Sequence, residues 1–247
     1  MLLRSTWDYH LRPAEFRRWL AGFAEAGRTL INPPATALWN MEKSYLEDLA
    51  QAGVPLPPTR RLDEPTPERI AGTMKEEGWT EAVFKPRIGA TAHGLFRVSG
   101  TESIAAATPG PGFLQRFLPE VERDGELSLV YIGGEFSHAA RKRARPGDFR
   151  VQDTFGGTVE DAAASRETLD LAGRALAAVP HVWHYARVDL VETAGGPLLM
   201  ELELLEPVLF FGLRPEAADR LVELVVGLLY RGGTEGPAPN TDPAPHS

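Results

Sequence analysis

The segment RVDLVETAGGPLLMELELLEP, residues 187–207, constrains the chain more than any other. It reads as two β-strands joined by a turn at the Gly-Gly pair. Side chains on a strand alternate between faces. Leu198, Met200, Leu202 and Leu204 are therefore expected on one face, and Glu201 and Glu203 on the other. A turn centred on Gly195 puts Asp189 opposite Glu201 and Arg187 opposite Glu203, with Val188, Leu190, Met200 and Leu202 toward the core. Three carboxylates then converge beside one arginine, and the same apolar run carries a further glutamate, Glu206. Like charges directly opposite one another destabilise a sheet, so something has to offset them. Either the face is solvated and Arg187 neutralises it, or a cation sits among the carboxylates. Oxygen ligands without Cys or His suit a hard cation such as Mg²⁺, which usually shares its shell with phosphate oxygens. The second arrangement implies a nucleotide.

The rest of the chain limits the alternatives. Its 247 residues suffice for one large domain or two small ones, and a hydrophobic content of 43% supports a proper core. A net charge of −8 without a long basic run argues against a nucleic-acid partner. The absence of cysteine excludes disulfides, thiolate metal sites and a cysteine nucleophile, and fits the cytoplasm. No apolar stretch of about 18 residues reads as a membrane span, and no secretory signal is evident.

Apolar residues at helical spacing predict helices in residues 12–27 (Phe16, Trp19, Leu20 and Phe23 on one face), 40–53 (capped by Asn40), 66–78 (capped by Thr66), 164–179 and 214–232. Short β-type runs occupy 81–89, 93–100, 112–118 and 125–143, the last with a Gly133-Gly134 hairpin signal. Leu2-Leu3 reads as a strand end and RTLINPP as a short strand; residues 233–247 read as a disordered Pro-rich tail. Strands in runs beside helices indicate an α+β architecture.

Lys85 ends an apolar strand and precedes the loop PRIGATAHG, a placement from which lysine can reach phosphates while loop amides cover them. Lys43 falls early in the expected second helix. The run RKRARPGDFR supplies Arg141, Lys142, Arg143, Arg145 and Arg150, with Lys142 on the opposite strand face from Arg141 and Arg143. Cations beside the Gly156-Gly157 pair could stabilise a transferring phosphoryl group. A surface lysine at 43 or 85 and a solvated basic strand are the plain readings of the same residues. The chain has no P-loop, GxGxxG, HExxH or GxSxG pattern, and His181 and His184 read as ordinary loop residues.

In order and spacing, these features resemble the ATP-grasp superfamily, in the branch of glutathione synthetase, the RimK-type ligases and D-alanine–D-alanine ligase. The resemblance is nearest to ATP-grasp proteins like the cyclo-ligase of cycloserine biosynthesis. It spans about residues 2–231 and rests on RSTWDY, FKP, DFRVQDTFGGT and MELELLEP. It implies two α+β subdomains gripping ATP: a lid-like one over about 55–115 and a C-terminal one over about 116–231, within an ATP-grasp domain of 36–231. Residues 1–35 would be the remnant of a truncated N-terminal pre-ATP-grasp α/β domain, short by roughly 50 residues, and 232–247 the tail. Apolar surface on Phe16, Trp19 and Phe23 would then favour a homodimer.

The resemblance also implies roles. Lys43 and Lys85 would bind the nucleotide phosphates, Gln115 and Leu118 the adenine, and Glu126 the ribose. Asp189, Glu201 and Glu203 would hold Mg²⁺, or Mn²⁺ in its place; Glu203 stands where most relatives have Asn. Arg150 and Lys142 would act on the acyl-phosphate, and Arg4, Asp8, Tyr9 and Arg187 would face the substrate. The implied activity is ATP-dependent ligation or cyclisation of a small amino-acid-like carboxylate with an amine-type nucleophile, through an acyl-phosphate. A RimK-like peptide ligase and an ATP-binding module without turnover are the alternatives.

Overall fold

Two antiparallel sheets frame the molecule, in a computed structural model that describes residues 1–100, 110–145 and 156–230. The first has strands β1 (Thr59–Leu62), β2 (Ala82–Pro86), β3 (Phe96–Val98) and β4 (Gly112–Arg116), in the order β1-β4-β2-β3. The second has β5 (Glu126–Ile132), β6 (Glu135–Arg143), β7 (Thr158–Ala162), β8 (Tyr185–Thr193) and β9 (Gly196–Glu203), in the order β7-β6-β5-β8-β9. The helices are α1 (Pro13–Glu25), α2 (Pro34–Asn40), α3 (Tyr45–Gln51), α4 (Pro67–Glu77), α5 (Glu120–Asp124), α6 (Arg166–Ala177) and α7 (Glu216–Tyr230). The architecture is α+β, as the sequence predicts. Among the described residues no helix is long and apolar enough to cross a membrane.

Each sheet buries one face and gives the other to a common cavity. In the smaller sheet Ala82, Phe84 and Leu114 pack on Ile70 and Met74 of α4, which Thr66 caps by accepting the Arg69 N–H at 3.2 Å. Alternation sends Val83, Lys85 and Gln115 into the cavity. In the larger sheet Leu127, Leu129, Val188, Leu190 and Leu202 pack against α3 and α6. Farther along, Val130, Ile132 and Tyr185 pack with Leu221 and Leu228 of α7.

Several local expectations change. Residues 40–53 do not form one helix: a turn separates α2 from α3, and Lys43 lies in that turn. Asn40 ends α2 rather than capping a helix. Its side chain instead donates to Leu202 O at 2.8 Å and accepts from Leu204 N at 2.7 Å. The Leu2-Leu3 and RTLINPP strands reduce to one parallel bridge, Leu2 to Ile31. On α1, Leu20 is the fully buried residue, whereas Trp19 is 40% exposed and lies against Phe16 and Phe23. The Pro-rich tail lies outside the described residues.

The β8–β9 hairpin keeps the expected pairs, Asp189 with Glu201 and Arg187 with Glu203, by a different route. Its turn is Ala194–Gly195, with Thr193 opposite Gly196. That displaces the register by one, and a bulge at Met200, between the pairs Leu190–Leu199 and Asp189–Glu201, restores it. Leu199 therefore joins the core, while Leu198 and Met200 pack with Leu118, Val121 and Val191.

β9 is a sheet edge, and the α2–α3 region covers it. Beyond the Asn40 contacts, Tyr45 Oη accepts from Leu202 N at 3.1 Å and Pro55 O from Leu199 N at 2.9 Å. Asn40→Ala strips partners from a buried carbonyl and a buried N–H. It is expected to lower stability to urea by about 2–4 kcal/mol; a midpoint and slope equal to wild type would show that the clamp contributes nothing.

Candidate active site

The cavity between the sheets measures about 610 Å³. One face of the larger sheet forms its floor. Because β5 pairs with both β6 and β8, Glu126 lies opposite Lys142 and Ser128 opposite Asp189. Gly125, at φ +81°, admits this pairing, since a Cβ there would approach Lys142 O to 2.4 Å.

Asp189 is 1% exposed and is met from three directions. Arg187 Nε donates to it at 2.9 Å, Lys142 Nζ at 2.9 Å and Ser128 Oγ at 2.6 Å. Burial would raise its pKa, but Arg187, Lys142 and the serine hydroxyl hold it well below the carboxylate range. Lys142 also pairs with Glu126, and Lys43 with Glu201. Burial would raise Glu201 too, and Lys43 and Lys85 outweigh it. Glu126 goes the other way, burial raising it against the pull of Lys142. Lys85 donates to Met200 O at 3.4 Å, and burial lowers its pKa. Arg187 Nη2 reaches Glu203 at 2.5 Å. Even so, burial pushes Glu203 up to about 7, Glu201 and Asp189 adding to the shift.

Asp189, Glu201 and Glu203 each offer an oxygen, all within 4.8 Å of one another. This all-carboxylate set fits a hard divalent cation. Asp189 is buried, whereas Glu201 and Glu203 stay partly exposed and are paired with Lys43 and Arg187.

Of the other residues singled out in the sequence, Gln115 and Leu118 line the cavity wall. Gln115 is 1% exposed and donates to Thr59 Oγ1 at 3.0 Å. Tyr9 lines the opposite side, its hydroxyl donating to Gly89 O at 3.4 Å. Asp8 does not reach the cavity lining: it is exposed and pairs with Arg12 at 3.3 Å. Arg4 lies outside the lining as well, its guanidinium donating to Pro207 O at 2.8 Å. Arg150 lies outside the described residues. Loop 87–95 borders the cavity and is tied down by Lys43 N, which donates to Arg87 O at 2.8 Å, and by the His10–His93 ring contact at 4.7 Å.

The sequence assigns no role to Ser128 and Glu206, and Met200, expected toward the core, lines the cavity instead. Ser128 shares parity with Glu126, a signal that alternation along ELSLVYI could have supplied. Glu206 lies past the end of β9, where periodicity no longer speaks.

Two sheets facing each other across buried lysines and a carboxylate trio define an ATP-grasp enzyme. The chain has the fold of the ATP-grasp superfamily, whose members use ATP and a divalent metal, and it is similar in sequence to ligases and synthetases. Residues 1–32 match the family described as D-cycloserine synthetase DcsG, N-terminal domain. The chain is 29% identical to the cycloserine biosynthesis protein DcsG of Streptomyces lavendulae, over 90% of this chain and 81% of that protein. It is 30% identical to a probable alpha-L-glutamate ligase of Xanthomonas campestris pv. campestris (strain B100), over 74% of this chain; it spans 64% of that relative's length. Among solved structures it resembles D-cycloserine synthetase DcsG with a TM-score of 0.77 and 28% identity, covering 92% of this chain and 82% of the other. The RimK domain protein ATP-grasp of Sphaerobacter thermophilus shares the fold with a TM-score of 0.66 at 21% identity, over 86% of this chain and 76% of the other.

The raised Glu203 has a consequence for stability. Folded, this group binds its proton more tightly than unfolded. The stability it contributes is present below the ordinary carboxylate range and is lost as pH rises through about 7. Urea midpoints of the metal-free chain should therefore fall less between about pH 5 and pH 8 in Glu203→Gln than in wild type. Identical slopes would show that Glu203 ionises normally.

Proposed function

We propose that the chain is an ATP-dependent carboxylate–amine ligase, or cyclo-ligase, acting on a small amino-acid-like substrate. The observation that carries this is the convergence of Lys43, Lys85 and Lys142 with Asp189, Glu201 and Glu203 on one cavity between two sheets. In this reading Lys43 and Lys85 bind the ATP phosphates. Gln115 and Leu118 flank the adenine, and Glu126 takes the ribose hydroxyls. Asp189, Glu201 and Glu203 hold Mg²⁺, or Mn²⁺, which when bound supplies Lewis-acid stabilisation of phosphate oxygens.

A carboxylate is a poor electrophile. Transfer of the γ-phosphoryl group to it releases ADP and gives an acyl-phosphate; attack by the amine then expels inorganic phosphate and loses a proton. Lys142, which pairs with Asp189 and Glu126, stabilises the transferring charge in this reading, and Arg150 is assigned the same task by family likeness. Tyr9 and Arg187 face the substrate end. Residues 1–35 form the N-terminal unit, 55–115 the lid-like and 116–231 the C-terminal part of the grip. Trp19, exposed on α1 beside the half-buried Phe16 and Phe23, supports a homodimer contact, and the cysteine-free composition supports a cytoplasmic place. Similarity to the glutamate ligases favours, as a second reading, addition of an amino acid to a peptide acceptor.

Thermal stability with ATP, with and without Mg²⁺, tests the site. A ligand that binds only the folded state at a hundredfold excess over Kd adds about 2.7 kcal/mol. A Mg²⁺-dependent rise in wild type, absent in Glu201→Ala and weakened in Lys85→Ala, is expected. A well-folded wild type that gives no rise would sink the ligase reading. ADP release on adding carboxylate and amine separates a ligase from a module that only binds.

A further inference from the structure

Glu206 is a buried carboxylate that the ATP site does not use. It is 8% exposed and lines the cavity. Among the described residues its carboxylate makes no ion pair or hydrogen bond, although its backbone carbonyl accepts from Trp7 Nε1 at 3.4 Å. Largely buried and without a partner among the described residues, this carboxylate is open to a cation that enters the cavity.

The groups around it are already committed. Arg187 is held by Asp189 and Glu203. Lys43 is held by Glu201. The Tyr9 hydroxyl donates to Gly89 O and the Trp7 indole to a backbone carbonyl. None of these supplies the Glu206 carboxylate with a donor. The same end of the cavity is walled by the rings of Trp7, Tyr9 and Phe210; Tyr9 stacks on Phe16 with centroids 5.3 Å apart, and the Arg187 guanidinium already lies over Phe210 at 5.6 Å. Phe210 keeps its ring there at the cost of a φ of +47°, a conformation rare outside glycine.

Aromatic faces beside one carboxylate recognise an organic ammonium group: the carboxylate takes a charge-assisted hydrogen bond and the rings attract the cation through their faces. A hard metal ion would need several further oxygens, and the wall here offers rings.

We propose that Glu206 receives a positively charged amino group of the substrate and so determines specificity. The substrate is then a carboxylate that also carries an ammonium group, an amino acid or close derivative, and that group is an anchor distinct from the attacking nucleophile. This rests on the ligase reading above. It adds that the anchoring charge is held at the aromatic wall of the cavity, within the field of Glu203 and Glu201.

The test uses the full chain with Mg²⁺ and a non-hydrolysable ATP analogue. The probes are D- and L-amino acids beside the same carboxylates without the amino group and their N-acetyl forms, read by thermal shift. At least one amino acid should stabilise the wild-type nucleotide complex, and its desamino and N-acetyl counterparts should not. In Glu206→Gln the same response should need roughly 10- to 100-fold more amino acid. Glu206→Asp should recover part of it. The nucleotide shift should be equal in all three proteins, which a general loss of structure would not allow. Equal response to the counterparts, wild-type affinity in Glu206→Gln, or no response to any amino acid while the nucleotide still binds would overturn the assignment alone. Loss of the nucleotide shift in wild type would remove the ligase reading and this assignment with it.

Discussion

A carboxylate can persist between strands only where cations and hydroxyls reach it, and Asp189 is reached from three strands. Ser128 of β5, Lys142 of β6 and Arg187 of β8 all donate to it. Left unpaired it would cost several kcal/mol. Satisfied, it fixes how these strands lie, because a slip of one residue in β5 or β6 would send Ser128 or Lys142 to the opposite face. Lys142 and Arg187 each hold a second carboxylate, Glu126 and Glu203, so one network spans four of the five strands in the larger sheet. Its order is thus set by charge as well as by the leucine core on the other face.

The cavity inherits two ends from this arrangement. One is a charged floor on which Lys43, Lys142 and Arg187 each pair with a carboxylate while Lys85 donates to the Met200 carbonyl. The other is an aromatic wall in which the Glu206 carboxylate has no partner among the described residues. The N-terminal segment closes the space between them. Tyr9 touches loop 87–95 through Gly89, and Leu3, Tyr9 and Met41 share a small core with Leu205 and with Ile88 and Ala90 of that loop. The loop is therefore packed directly against the segment that carries Trp7 and Tyr9.

Alternation made the carboxylate trio legible in the sequence, because period-two patterning needs no tertiary information once a turn is found. It also made Lys85 and Lys142 legible. Lys43 was misplaced because NMEKSYLEDLA keeps helical composition across a turn that only packing against β9 imposes. Asn40 looks like a cap for the same reason: its amide serves a strand 162 residues away, and no local signal encodes that. Asp8 sits beside Tyr9 in sequence, yet the short 3₁₀ turn at Tyr9–Leu11 leaves it facing solvent while Tyr9 is buried. Glu206 was visible only as an unexplained charge, since beyond the strand its direction depends on the backbone path through Phe210.

The bulge at Met200 lets β9 carry one more side chain than its partner strand has positions to match. Leu199 stays in the core, Glu201 stays opposite Asp189, and the extra methionine is left on the cavity side beside Leu118 and Val121. Tip and bulge thus form a matched pair of length changes. A chain that loses a residue from either can keep its acidic ladder aligned only by adjusting the other. Hairpins of different length can therefore evolve around the same ladder, and the flexible thioether, which adapts its shape to what it touches, marks where such a chain is free to change what lies against it.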